Sequence, residues 1–270
     1  MRLALAQIDS GTDKLRNLEL IAHRARAASD AGADLVVFPE FSMYEKKVVD
    51  STFSNAAEPL DGPFVDGLRA LAVDGGLTIV AGVVEQAEGD ERPFNTLVAI
   101  GPSGTIDARY RKVHLFDSFG FRESDSIRPS DTLEPVVLDV DGVTVGLMAC
   151  YDLRFPELAR ELANAGAELM LACSSWVPGT GKIDQWRVLA QARAIENVCF
   201  FAGVSQLPPI SIGHSLLVDP MGGVIGSLGT EPNVKTFDVD ASVVATARAV
   251  NTALGQRRYS TRPAPMLHSF

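Results

Sequence analysis

The sequence predicts a single α/β domain with mixed strand pairing, and three observations predict it. Short continuous apolar runs, at 35–38 and 77–84, have the composition of strands buried on both faces. Segments of helical period alternate with such runs along most of the chain, the order of an α/β fold rather than a segregated one. Two pairs of strand-like runs flank Gly101-Pro102-Ser103-Gly104 and Asp141-Gly142. Both are hairpin signals, so part of the pairing is antiparallel.

The first predicted strand covers 3–8. Thr12 or Asp13 follows as a helix N-cap. Leu15, Leu18, Ile21, Ala22, Ala25 and Ala28 then recur at helical spacing until Gly32 stops them. The buried strand 34–38 ends at Pro39-Glu40. A polar, irregular region leads to Gly62-Pro63, a helix over 64–73, a turn at Asp74-Gly75-Gly76 and a strand over 77–84. Runs 95–100 and 106–111 form the first hairpin, whose second arm delivers Lys112. Residues 114–131 have little periodicity and read as a functional surface loop. Runs 136–140 and 143–148 form the second hairpin. Cys150 follows, and Pro156 suits the first turn of the next helix, which closes at Gly166. A strand over 168–172, a helix holding Ile183, Trp186, Leu189, Ala190, Arg193 and Ala194, and a strand over 198–204 come next. Short strands at 215–218, 224–228 and 234–239 precede a terminal helix over 241–254. Residues 1–255 therefore read as one domain, and 256–270 as a tail. The sequence has no evident internal repeat.

Composition narrows the classes. Of 270 residues, 46% are hydrophobic and 21% charged, enough for a sizeable soluble core. A net charge of −10 argues against non-specific nucleic-acid binding. No apolar run reaches the length of a membrane span, and the N-terminus does not resemble a secretory signal. The three cysteines, Cys150, Cys173 and Cys199, are odd in number and widely spaced, which is no disulfide framework and fits a reducing cytoplasm. The four histidines are scattered and no metal-ligand spacing occurs, so no metal is expected.

Three reactive groups fall at the ends of predicted strands: Glu40, Lys112 and Cys150. Singly, each has a bland reading. Cysteine after an apolar strand is usually inert core, Glu40 suits a solvated loop, and Lys112 sits in a basic run with Arg109 and Arg111. Together they supply a nucleophile, a carboxylate base and a cation for a developing oxyanion, the parts that acyl transfer needs. Cys150 stands just before a helix N-terminus, an environment expected to favour its thiolate.

Phe38-Pro39-Glu40, the run Tyr110-Arg111-Lys112-Val113-His114-Leu115-Phe116-Asp117, and the run Cys150-Tyr151-Asp152-Leu153-Arg154-Phe155-Pro156-Glu157 resemble, in order, the three signature blocks of the nitrilase superfamily of carbon–nitrogen hydrolases. The resemblance covers about 3–239. It implies a four-layer α-β-β-α sandwich and a homodimer, or a multiple of one, formed through a helical face; the tail, proline-containing and partly apolar, is expected to pack across the partner subunit. It also implies Glu40 as base, Lys112 as oxyanion cation and Cys150 as nucleophile, with no cofactor. The backbone N–H of Tyr151 joins the oxyanion site, and Glu123, in Phe121-Arg122-Glu123-Ser124, matches a second, positioning carboxylate. Arg193, Glu196 and His214 match patterns read as structural.

Tyr151-Asp152 after the cysteine, rather than Trp-Glu, resembles the amidase branch that holds ω-amidases and deaminated-glutathione amidases. The implied reaction is hydrolysis of an amide of a small carboxylic acid through a thioester; N-carbamoyl or nitrile hydrolysis is the alternative within the superfamily. Phe41, Tyr44, Phe116 and Trp176 are expected to wall a small pocket, with Arg154 or Arg122 holding a substrate carboxylate. Two rivals stand outside that reading: a Cys-His hydrolase using His114 or His214, and an inactive interaction module on the same fold. The expected partners are a small amide and water.

Overall fold

The computed structural model describes residues 1–261. Twelve strands form two six-stranded sheets. In chain order the first half is β1 (Arg2–Gln7), α1 (Lys14–Asp30), β2 (Leu35–Val37), α2 (Thr52–Ala56), α3 (Pro63–Gly75), β3 (Thr78–Glu85), β4 (Phe94–Ile100) and β5 (Ile106–Arg111). The second half is β6 (Val137–Val140), β7 (Val143–Ala149), α4 (Pro156–Asn164), β8 (Leu169–Ser174), α5 (Lys182–Asn197), β9 (Phe200–Ser205), β10 (Leu216–Val218), β11 (Val224–Ser227), β12 (Asn233–Asp238) and α6 (Ala241–Val250).

Elements start and stop where local chemistry dictates. The Asp13 side chain accepts from the Leu15 and Arg16 N–H groups and caps α1. Pro63 and Pro156 open α3 and α4, where a missing N–H costs nothing. Differences from the sequence reading are local. The irregular region contains the short helix α2, whose Phe53 is buried against Phe41 and Tyr44. The terminal helix stops at Val250, because Asn251 turns extended and accepts from Ala253 N–H to begin a 3₁₀ turn over Thr252–Gln256. The mixed pairing occurs in both sheets, as the expected four-layer sandwich requires.

The sheet orders are β12-β1-β2-β3-β4-β5 and β11-β10-β9-β8-β7-β6. In the first, β1, β2 and β3 run parallel, while β12, β4 and β5 pair antiparallel at the flanks. In the second, β7, β8 and β9 run parallel and β6, β10 and β11 are antiparallel. One strand pattern is thus used twice. The inner faces pack on each other, with Leu3, Leu5, Leu35, Val80 and Leu97 meeting Val145, Leu147, Leu171 and Val204 in one buried cluster. α1 and α3 cover the outer face of the first sheet, through Ile21, Ala25, Val65 and Leu68 against Ala4, Val36 and Ile79. α4 and α5 cover the second. The layers are α-β-β-α. Parallel strands buried on both faces read as unbroken apolar runs, which is why β3 and β8 have no exposed position.

Candidate active site

The C-terminal ends of β2, β5 and β7 converge between the sheets, and each delivers one reactive group. Glu40 follows β2 by three residues and is buried. Its backbone crosses Gly82 of β3 so closely that a Cβ there would lie 2.5 Å from Phe41 N and 2.7 Å from Glu40 Cα. Gly82 N–H also donates to Pro39 O, and Phe41 takes a left-handed φ of 56° at this turn. Glycine at position 82 is what lets the carboxylate reach the inter-sheet space.

Lys112 comes directly after β5, and strand alternation separates it from its basic neighbours. Arg111 turns to Glu85, at 2.6 Å, and Arg109 to the same carboxylate at 3.5 Å. The Lys112 side chain points inward and is 2% exposed. Its ammonium donates to Glu40 Oε1 at 2.8 Å and to Glu123 Oε2 at 2.8 Å and Oε1 at 3.1 Å. Burial alone lowers the Lys112 pKa, but Glu123, then Glu40, outweigh it and hold the ammonium well above its usual range.

Cys150 opens a 3₁₀ turn, Cys150–Arg154, with a left-handed φ of 45°. The first N–H groups of such a turn, Tyr151's among them, have no acceptor within it. The turn is braced from below by Asp152, which is fully buried. Asp152 accepts from Tyr110 Oη at 2.5 Å, Ala149 N at 2.9 Å and His114 N at 3.1 Å, and contacts His114 Nδ1 at 2.7 Å. The His114 ring stacks on Phe155 at 3.7 Å. Burial, then the Glu40 charge, push the Cys150 thiol well above its normal range. Desolvation and the facing carboxylate thus oppose the thiolate that the turn's leading N–H groups were expected to favour.

Glu123 is buried on a one-turn 3₁₀ segment, Glu123–Asp125, inside the long loop. Besides Lys112, it accepts from Phe116 N at 2.6 Å. Burial raises its pKa, and Lys112 opposes that rise. The sequence reading missed Asn95 on β4, whose amide donates to Glu40 at 2.7 Å and to Glu123 at 3.2 Å. Ser175 N donates to the other Glu40 oxygen at 2.8 Å. Both carboxylates are thus fixed from several elements. Glu45 was missed as well. It is buried in the cavity wall with Oε2 unpaired, and burial raises its pKa to about 8.

A cavity of about 480 Å³ opens on Cys150, Glu40 and Lys112, with Phe41, Phe116 and Glu123 in its walls. A second, of about 20 Å³, also borders Cys150 and is lined by Tyr151, Arg154 and Trp176. Tyr44 borders neither: its ring packs on Phe53 and its hydroxyl donates to Thr52. Arg122 reaches the rim of the larger cavity, but its side chain is 72% exposed and paired with Asp125. Arg193 donates to Leu153 O and Glu196, a structural clasp on the nucleophile turn. Neither His114 nor His214 lines either of these two cavities. Among the described residues, no cluster of side chains forms a metal site and no helix is long and apolar enough to cross a membrane.

A family model described as carbon-nitrogen hydrolase matches residues 2–249. The hydrolase Rv0480c of Mycobacterium tuberculosis is 45% identical over 264 residues, covering 92% of both chains. A deaminated glutathione amidase of Escherichia coli O157:H7 is 34% identical over 247 residues, covering 91% of this chain and 92% of its own. Among solved structures, the amidase from Nesterenkonia sp. AN1, in a mutant form with acrylamide, aligns with a TM-score of 0.83 at 28% identity, over 96% of this chain and 94% of its own.

Proposed function

The chain belongs to the carbon–nitrogen hydrolase family, and from that premise we propose that it hydrolyses amides of small carboxylic acids through a thioester on Cys150. One observation carries the reading: a buried ammonium, Lys112, is held between two carboxylates at the strand end beside the only cysteine that borders the large cavity. Cys173 and Cys199 are buried in the core, and burial pushes both thiols up.

Glu40 takes the Cys150 proton as the sulfur attacks the amide carbonyl. Lys112 and the Tyr151 N–H stabilise the oxyanion, a role suited to donors already fixed in place. Protonated Glu40 gives its proton to the departing amine. Water, deprotonated by Glu40, then cleaves the thioester and regenerates the thiol. Glu123 and Asn95 keep Lys112 and Glu40 in register throughout.

Ammonia release across a panel of small amides, nitriles and N-carbamoyl compounds tests the assignment, with mass spectrometry of quenched enzyme for the acyl adduct. Amides should lead, and the adduct should vanish in Cys150→Ala. Nitriles or N-carbamoyl compounds as the better substrates would sink the amide assignment, and activity that persists in Cys150→Ala would sink the mechanism. The proposal extends to residues 1–255 as one domain, a cytoplasmic setting, and a homodimer or multiple of one. Val188 and Ile195, seven residues apart on α5, are exposed apolar side chains with Met221 beside them on a turn that packs against Ile195. A second copy is the occupant such a face suits. Of the tail proposed to lie at that interface, 262–270 fall outside the described residues.

A further inference from the structure

Lys182, the first residue of α5, was not among the groups that the sequence singled out. It is 9% exposed and its ammonium is surrounded by rings: 3.9 Å from the centre of Phe119, 5.4 Å from Phe116 and 5.8 Å from Trp176. Its carbonyl accepts from Trp176 Nε1 at 3.0 Å, which fixes where the side chain begins. Among the described residues, no carboxylate lies within 4 Å of its ammonium.

Arg154 borders the same 20 Å³ cavity. Its guanidinium carbon lies 5.0 Å from the Trp176 ring centre and 5.6 Å from that of Phe119. One nitrogen donates to Gln185 at 2.7 Å, but Nε is buried without an acceptor, and no carboxylate pairs with this residue either. Burial first, and then the Arg154 charge, hold the Lys182 ammonium below its usual pKa. Two like charges at the edge of one small space, with a buried donor left over, are costly until an anion arrives. The cavity holds one or two water-sized groups. That suits a carboxylate rather than a chain.

We propose that Lys182, together with Arg154, binds the carboxylate of an acid-bearing amide and sets the preference for such substrates over neutral amides. This rests on the amide-hydrolase reading of Cys150. The substrate's acid end enters the small cavity while its amide carbonyl stays over the sulfur, because Cys150 borders both spaces.

The test compares succinamate with butyramide, its neutral counterpart, in the full-length enzyme. Wild type should prefer succinamate in kcat/KM. Lys182→Met should lower the ratio of the two kcat/KM values by roughly 10- to 100-fold, mainly through KM for succinamate, the range expected for losing one charge-assisted hydrogen bond. Lys182→Arg should restore part of the ratio. Equal losses for both amides would mark a merely structural lysine and overturn the proposal. If Lys182→Met fails to fold, wild type alone decides: succinate should inhibit butyramide hydrolysis competitively at concentrations where butyrate does not, and equal inhibition overturns the proposal. Butyramide turnover without any succinamate preference overturns the subsite and leaves the hydrolase reading intact. No turnover of either amide overturns both.

Discussion

At the scale of single residues, the two carboxylates on Lys112 do different work. Glu40 faces the thiol and has both oxygens occupied by donors, whereas Glu123 grips the ammonium with both oxygens and also takes Phe116 N–H. Glu40→Gln should therefore lower kcat by several orders of magnitude, and Glu123→Gln by about 10- to 1,000-fold, since an amide keeps one acceptor for Lys112. Equal, complete losses in single-turnover assays would give Glu123 a proton-transfer role of its own. Glu45 carries a pH prediction. Its pKa rises to about 8 in the folded protein, through burial first, from 4.5. Below pH 4.5 both states are protonated and it costs nothing. Between those values only the unfolded chain sheds the proton, so stability falls as pH rises, and above about 8 the penalty is complete. Glu45→Gln should match wild type in melting temperature at pH 4 and exceed it increasingly toward pH 9. A pH-independent offset would contradict that linkage. Glu40, Lys112 and Cys150 were legible because each ends a local run with its own pattern. Asn95, Lys182 and Glu45 were not: an asparagine in a strand and a lysine at a helix start look ordinary until the topology brings them to the cysteine.

At the scale of elements, the site depends on how closely one strand passes another. Gly82 lies in the middle of β3, where an alanine would suit the strand better were nothing above it. Gly82→Ala should cost about 1–3 kcal/mol through overpacking, and the cost should fall on the Glu40 turn. Denaturant unfolding would report the loss, and kcat should drop by more than global stability explains. A variant with normal kcat would mean that the turn relaxes freely. The Asp152 brace makes a parallel case. Asp152→Asn keeps the size but replaces one acceptor with a donor, which would face Tyr110 Oη and Ala149 N–H at one oxygen position or His114 N–H at the other, so the Cys150 turn should loosen. Alkylation of Cys150 by iodoacetamide should change rate while that of Cys173 does not. Element types and order were readable from period and punctuation. The helix Thr52–Ala56 was hidden, because its burial comes from aromatic packing of Phe53 rather than from a periodic face. The two stacked sheets were legible from the resemblance of the three motif blocks, not from periodicity, since each hairpin signal names a neighbour but not a sheet.

At the scale of the whole molecule, the repeated strand pattern has left no obvious sequence echo. Apolar strands tolerate many substitutions of like volume, so architecture outlasts resemblance. If copies associate through α5, Val188→Glu should yield monomers by light scattering at micromolar concentration; an unchanged dimer would move the interface elsewhere. The two sheets are also unequal in time. The second is assembled from consecutive residues, 137–227, but the first waits for β12, whose Asn233–Asp238 lie antiparallel on β1, and Met1 N donates to Val239 O. A ribosome adding about 5–20 residues per second needs roughly 10–50 s to travel from one partner to the other. For that interval β1 has an open edge on a nascent chain. Chains halted before residue 233 should bind a chaperone such as trigger factor and resist folding, while a circular permutant that joins β12 directly ahead of β1 should acquire protease resistance earlier in synthesis.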